Sequence, residues 1–280
     1  MPRTVWISSY PKSGNTWFRL VLEALLEGRS TGSQRGYRLE SIASSRALFD
    51  RYLGAPSALL TASETCSLYP AANQLANDHA DAQVLLRKIH DAYGYLDDGT
   101  PLFGDERGFS AVYILRNPWD VAVSAAHFYG CDYAESVRRL LDPDHKIAIS
   151  DTKLAMQLPQ WLSSWEKHAL SWLQAPINVH LMRYEDMHKS ALTVFSGALS
   201  WMGLRCDENQ LNSAIEHCRF ENLQRREQQQ GFDEKPLKVA QFFRRGVVGE
   251  GLEVLAPEQI DQLAAANERV EAAIKQRGLA

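Results

Sequence analysis

The sequence predicts an α/β fold: a single domain with a central, mostly parallel sheet flanked by helices. Short apolar runs rich in branched residues, at 5–8, 84–90, 111–116 and 177–182, suit buried parallel strands. Stretches with helical spacing of apolar residues separate them, and such alternation is the pattern of a layered α/β domain. The first strand hands over to the first helix through a polar loop, YPKSGNTW, at residues 10–17.

In chain order, VWIS at 5–8 is the first strand and Asn15–Glu27 the first helix, with Trp17, Phe18, Val21, Leu22, Leu25 and Leu26 at helical spacing and Gly28 closing it. Residues 29–80, mixed and rich in Ser and Ala, read as short helices and loops. After the strand at 111–116, Asn117, Pro118 and Asp120 form a helix start. Asn can cap, Pro suits the first turn and Asp is favoured at the positive end. That helix continues through VAVSAAHF, and residues 161–173, 186–202 and Pro257–Gln276 read as further helices. The polar tract QRREQQQG at 224–231 leads into residues 232–256, which carry three glycines and FRRG and read as a mobile flap. No second domain boundary stands out, so residues 1–280 are taken as one domain.

Composition narrows the function. A chain of 280 residues, 45% hydrophobic and 23% charged, can bury a sizeable core. Its formal net charge of -4 lacks the basic bias of nucleic-acid binding, so any anion site must be local. Cys66, Cys131, Cys206 and Cys218 lie far apart without a CxxC spacing, so they are expected to be reduced, mostly buried thiols and not zinc ligands or a redox pair. The start of the chain has no charged-then-apolar leader, which points to a cytoplasmic protein. The most apolar segment, 190–204, is shorter than the ~20 residues of a membrane span and reads as a core helix.

A loop between a strand and a helix start directs several backbone N–H groups to one point, where the helix dipole also favours negative charge. Lys12 adds a positive charge, Ser13, Asn15 and Thr16 add short donors, and Gly14 lets the backbone approach an anion closely. The stretch is not GxxxxGK[ST], so the ordinary P-loop pattern fails. Where ATP-using P-loop enzymes place a magnesium-holding carboxylate after a later strand, this chain has Arg116, whose planar fork suits a second anion and not a metal ion. Tyr184-Glu185-Asp186 reads as a structural turn, and Trp161, Trp165 and Trp172 as core packing.

YPKSGNTW resembles the 5′-phosphosulfate loop of the sulfotransferases that use 3′-phosphoadenosine-5′-phosphosulfate (PAPS), and YILRNPWDVAVSAAHF at 113–128 resembles their 3′-phosphate motif. RKIHDAYG at 87–94 is similar to the family's Lys-x-His segment, LMRYEDM at 181–187 to a recurrent Tyr-Glu-Asp turn, and FRRGVVGEG at 243–251 to the C-terminal Arg-Lys-Gly-x-x-Gly flap. The resemblance spans most of the chain and implies a P-loop-like topology. It implies that Lys12, Ser13, Gly14, Asn15 and Thr16 hold the 5′-phosphosulfate and that Trp17 lies against the adenine. It further implies that Arg116 and Ser124 bind the 3′-phosphate with Arg244, Arg245 and Gly246. HCRFENL at 217–223 makes Phe220 the second adenine contact, His90 would be the general base and Lys88 a sulfuryl contact. The chain departs from the family pattern at Asn15, where Thr is common, at Arg219, where a small hydroxyl residue is typical, at Arg245, where Lys is usual, and at Glu250-Gly251, where Asp-Trp is usual.

The implied reaction is sulfuryl transfer from PAPS to an acceptor hydroxyl on a small molecule, glycan or peptide, with PAP as product and no metal required. A sulfuryl group carries less charge than a phosphoryl group, so a lysine and oriented N–H donors can stabilise in-line transfer without magnesium. His90 ends a strand, the usual edge for an α/β active site, and stands two residues from Lys88 between the two anion motifs. Alone, Ser124 would read as a helix-packing residue. Two other readings stay open: a P-loop nucleotide kinase, disfavoured by the failed loop pattern and Arg116, and a non-catalytic nucleotide-binding protein, disfavoured by the joint presence of Lys12 and His90. The acceptor's identity and the oligomeric state are not written in these motifs.

Overall fold

The structure, a computed structural model, describes residues 3–27, 36–150, 154–236 and 238–279. Its strands in chain order are β1 Arg3–Ser8, β2 Tyr37–Glu40, β3 Val84–Ile89, β4 Phe109–Leu115, β5 Lys146–Ile147, β6 Gln160–Trp161 and β7 Asn178–Arg183. Five of them form one sheet in the order β2-β3-β1-β4-β7, every neighbouring pair parallel, while β5 and β6 make a small antiparallel pair. The helices are α1 Asn15–Glu27, α2 Arg46–Leu53, α3 Ala62–Asp78, α4 Pro118–Tyr129, α5 Tyr133–Leu141, α6 Trp165–Leu173, α7 Tyr184–Lys189, α8 Ala191–Met202, α9 Glu208–His217, α10 Phe220–Gln230, α11 Glu250–Val254 and α12 Pro257–Gln276.

The sheet separates two cores, and the alternation of β1 sorts residues between them. Val5 and Ile7 face the side covered by Phe18 and Leu22 of α1, Phe195 of α8 and Ile215 of α9. Trp6 faces the side filled by Tyr69 of α3, Val121 of α4, Trp165 and Trp172 of α6 and Val270 of α12. Because both faces are covered, the central strands are mostly apolar, which is why the sequence shows them.

Several boundaries differ from the sequence expectation. The predicted helix at 161–173 begins only at Trp165, because Ser163 takes a positive φ of 59° and Ser164 caps the helix by accepting from Lys167 N. Trp161 belongs to β6. The helix expected at 186–202 is two, α7 and α8, broken at Ser190, whose φ of -149° and ψ of 58° are not helical. The polar tract at 224–231 is largely α10, built from Gln, Glu and Arg, which are good helix formers. None of the four cysteines is in a disulfide, yet only Cys218 is buried and the other three are half-buried. The closing role given to Gly28 lies outside the described residues, as does part of the 29–80 region.

That region does hold an edge strand, β2, which charge and brevity concealed. Its Glu40 pairs with Arg87 of β3 at 3.0 Å, both side chains almost fully buried. Asn73 Oδ1 accepts from Arg87 Nη1 at 2.9 Å, and Tyr52 donates to Glu40 at 2.5 Å. Removing one member of a buried ion pair strands the other charge. Glu40→Ala should therefore lower stability by about 3–5 kcal/mol, read from the urea unfolding midpoint at unchanged slope. A loss under about 1 kcal/mol would mean that water reaches Arg87.

Candidate active site

The strands β1, β3 and β4 run in parallel with Ser8 beside both Ile89 and Tyr113, so their carboxyl ends finish level with one another. The residues that follow these ends are the polar loop, His90 and Arg116. They border a cavity of about 1060 Å³, and every residue expected from the sequence to bind or react lines it, apart from Ser13. The open edge of a parallel sheet, where strand order reverses direction around β1, is where such folds bind ligands.

Within the loop the backbone is set first. Gly14 takes a φ of 101°, and a Cβ there would stand 2.5 Å from Tyr184 Cδ2, so no other residue fits. Asn15 turns its amide inward, donating to Ile7 O at 2.9 Å and Ser9 Oγ at 3.3 Å, while Arg19 Nε donates to its Oδ1 at 3.0 Å. The Asn15 side chain thus fastens the loop, and what Asn15 offers an anion at this helix start is its backbone N–H. Lys12 also takes a positive φ, 74°, and its carbonyl accepts from Arg116 Nη1 at 3.1 Å. Its ammonium lies over the rings of Phe128 and Phe242, at 4.2 and 4.3 Å from their centres. Burial, with Arg116 and Lys88 adding to it, lowers the Lys12 pKa to about 7.

His90 Nδ1 lies 2.8 Å from Ser9 O, which can only accept, so Nδ1 carries the proton and Nε2 the lone pair. Burial, reinforced by the nearby Lys88, pushes the His90 pKa well below the usual imidazole value, so the ring is neutral across the physiological range. Buried His168 supports this arrangement: its Nε2 donates to His90 O at 3.0 Å and its Nδ1 accepts from Tyr113 at 2.9 Å. His90 therefore has the form of a general base with a fixed tautomer.

Arg116 ties the loop to the later chain. Its Nη2 donates to Val247 O at 2.8 Å, and its guanidinium stacks 4.2 Å over the Tyr184 ring. Asp120, almost fully buried, lies 3.6 Å from Arg116 and accepts from Gly249 N at 2.9 Å and Gly251 N at 2.8 Å. This corrects the reading of Asp120 as a helix-terminus charge alone: it also docks the start of α11. Arg244 and Arg245 both pair with Glu250, and Gly246 packs against the Phe220 ring, where a Cβ would come within 2.3 Å. The backbone N–H groups of Phe242 and Phe243 donate to Glu227. Glu234 reaches into the cavity wall, accepting from Lys88 Nζ at 3.0 Å, from Thr16 Oγ1 at 3.4 Å and from Arg19. Burial alone would raise its pKa, but Lys88 and Arg19 hold it down at about 2.

Glu227, Glu234 and His168 were not picked out by the sequence. For His168 a signal existed: it stands three residues from Trp165 and four from Trp172, on the buried face of α6. The two glutamates carry no such periodic mark. Whether the site fits an anionic nucleotide can be judged from its unmatched donors. Ser13 Oγ, Trp17 Nε1 and Arg116 Nε are buried without a protein partner, and a protein carboxylate already sits on Lys88 and Thr16. Groups of this kind are satisfied by a ligand rich in acceptor oxygens. Among the described residues no cluster of His, Cys, Asp and Glu suits a metal ion.

Residues 2–275 match the family model described as a sulfotransferase domain. The chain is 25% identical over 285 residues to cytosolic sulfotransferase 14 of Arabidopsis thaliana, covering 95% of this chain and 74% of that protein. It is likewise 25% identical over 256 residues to sulfotransferase 1A1 of Rattus norvegicus, covering 89% and 78%. Among solved structures, mouse sulfotransferase SULT7A1 complexed with PAP aligns with a TM-score of 0.64 at 19% identity, over 99% of this chain and 89% of that one. Retinol dehydratase, solved with androsterone and PAP, aligns at 0.59 and 18% identity over 97% and 80%. The structural matches bear out the expected fold: one α/β domain whose parallel sheet has P-loop-like topology.

The docking of α11 through Asp120 gives a test that needs no ligand. Asp120→Ala should leave the amides of Gly249 and Gly251 without acceptors and speed their hydrogen exchange by about ten- to a hundredfold, equivalent to about 1–3 kcal/mol. Unchanged exchange there would mean that packing against Trp119, and not Asp120, holds the segment.

Proposed function

The chain belongs to the sulfotransferase domain family, and on that premise we propose that it transfers a sulfuryl group from PAPS to an acceptor hydroxyl, releasing PAP. The observation that carries this reading is the convergence of the Lys12–Trp17 loop, Lys88, His90 and Arg116 on one cavity, with His90 held as a neutral base. PAPS, when bound, supplies an already activated sulfuryl group, so the protein has to position, neutralise charge and accept a proton.

Each residue has a part in this proposal. The N–H groups at the start of α1, with Ser13, Thr16 and Lys12, would hold the phosphosulfate. Arg116 and Ser124, with Arg244, Arg245 and Gly246, would take the 3′-phosphate. Trp17 and Phe220 would face the adenine. His90 Nε2 accepts the acceptor's hydroxyl proton as the new O–S bond forms, and Lys88 and Lys12 oppose charge growing on the sulfuryl and leaving oxygens. No step calls for a metal ion. The acceptor, a small molecule or a glycan or peptide hydroxyl, enters from the side of Ile42, Tyr129, Ile147 and Gln157. Residues 232–256 act as a flap that cofactor orders. No helix among the described residues is long and apolar enough to cross a membrane. A cytoplasmic location belongs to the same proposal.

His90→Ala decides between a catalyst and a binder. The variant should bind PAP within about threefold of wild type, under ~1 kcal/mol, yet lose about 10²–10⁴ in kcat with an acceptor found by screening hydroxyl compounds. A variant retaining more than about a tenth of kcat, with chemistry limiting turnover, would remove His90 from the base role.

The low pKa of Lys12 sets a pH dependence. An anionic ligand favours the ammonium, and in the free protein that form is lost as pH rises through about 7. PAP affinity should thus be greatest below pH 7 and fall by up to about tenfold per unit above it, with uptake of up to one proton on binding near pH 8. Calorimetry in buffers of different ionisation enthalpy measures that proton, and Lys12→Met should abolish it. Affinity that is flat from pH 6 to 9 would separate Lys12 from the bound anion.

A further inference from the structure

Glu234 stands where the proposed function needs an external anion. Its Oε2 is 3.0 Å from Lys88 Nζ, the expected sulfuryl contact, and 3.4 Å from Thr16 Oγ1, an expected phosphosulfate donor. Arg19, one helical turn beyond Asn15 and largely buried, donates to the same carboxylate. Three donors from α1 and β3 therefore converge on one point, and the group at that point comes from the flap. The peptide carrying Glu234 is held by local backbone bonds and by Phe232, whose ring packs on Phe242 and Phe243. Gly231 ends α10 with φ 78° and ψ -175°, and the backbone bonds that follow, Lys235 N to Phe232 O and Val239 N to Pro236 O, are local. Glu227 anchors the far end at Phe242 and Phe243.

From this we infer that Thr16, Arg19 and Lys88 form a preformed anion subsite, that Glu234 is its internal stand-in ligand, and that an external anion enters only when the Glu234 segment swings aside. The identity of the anion, the phosphosulfate end of PAPS, rests on the donor reading above, whereas the masked subsite does not. Arg19 thereby becomes a cofactor-binding residue that the family resemblance does not supply. The physical consequence is competition. If the carboxylate occupies the subsite most of the time, apparent affinity for an outside anion is reduced by the fraction of molecules with the segment open. Neutralising Glu234 leaves Arg19 and Lys88 enclosed without a counter-charge, which favours an outside anion further.

Calorimetric titrations with PAPS, PAP and inorganic pyrophosphate test this on the wild type, Glu234→Gln, Glu234→Ala and the double variant Glu234→Gln/Arg19→Gln. PAPS and pyrophosphate should bind both single variants about tenfold more tightly than wild type, and adding Arg19→Gln should take most of that gain away. Equal or weaker PAPS and pyrophosphate binding by both Glu234 variants would overturn the masked subsite, and show that Glu234 supports Arg19 and Lys88 instead. Undiminished affinity in the double variant would remove Arg19 from the subsite. If pyrophosphate binding tightens in the Glu234 variants while no form binds either nucleotide, the subsite stands and the PAPS reading falls.

Discussion

Crowded positive charge at an enclosed sheet edge is the interaction on which the site depends. Lys12, Lys88 and Arg116 border one cavity and Arg19 reaches the Glu234 carboxylate on its wall; burial disfavours the charges of Lys12 and Lys88, and neighbours of the same sign disfavour them further. The effects are visible in Lys12, whose pKa falls to about 7, in Lys88, lowered chiefly by burial and then by Arg19, and in His90, lowered by burial and then by Lys88. The same burial, helped by repulsion, that weakens the ammonium of Lys12 keeps His90 unprotonated. An anion docking here relieves one problem and leaves the other property, a free imidazole lone pair, in place.

The protein's own carboxylates offset this charge, and most come from one stretch of chain. Asp120 faces Arg116, Glu234 faces Lys88 and Arg19, and Glu250 faces Arg244 and Arg245. Glu227 accepts two backbone N–H groups and so fixes where Phe242 stands beside the Lys12 ammonium. The segment after α10 is therefore an electrostatic counterpart of the loop after β1. Arg116 joins the two through Lys12 O on one side and Val247 O on the other, so these two points cannot part without breaking a charged hydrogen bond.

What could be read in advance follows from range in sequence. β1, β3 and β4 are mostly apolar because both faces are covered, and YPKSGNTW, His90 and Arg116 stand just after such strands, so the strand pattern marked their places while the family resemblance supplied their roles. β2 escaped because its stability comes from Glu40 meeting Arg87, a partner 47 residues away, and not from an apolar run. Glu234 escaped for the same reason, since its partners lie on α1 and β3 and its own neighbours say nothing of them. Asn15 shows a subtler limit. Its residue type suggested a donor for an anion, yet its amide is committed to Ile7 O and Ser9 Oγ, contacts that only a folded loop creates.

The departure from the family pattern at Glu250-Gly251 has a physical account in Asp120. Gly251 lies so close to α4 that a Cβ would come within 2.3 Å of the Trp119 backbone, and this closeness is what brings its N–H to Asp120 Oδ1 at 2.8 Å. A tryptophan at 251 would force α11 away from α4, breaking both N–H bonds to Asp120 and leaving that buried carboxylate with only Arg116 and the Asn117 amide. Glycine here is thus not a lost side chain but the condition for a backbone clasp. With α11 held by backbone groups, the Glu250 side chain is left to pair with Arg244 and Arg245, and it orients both arginines at the cavity edge.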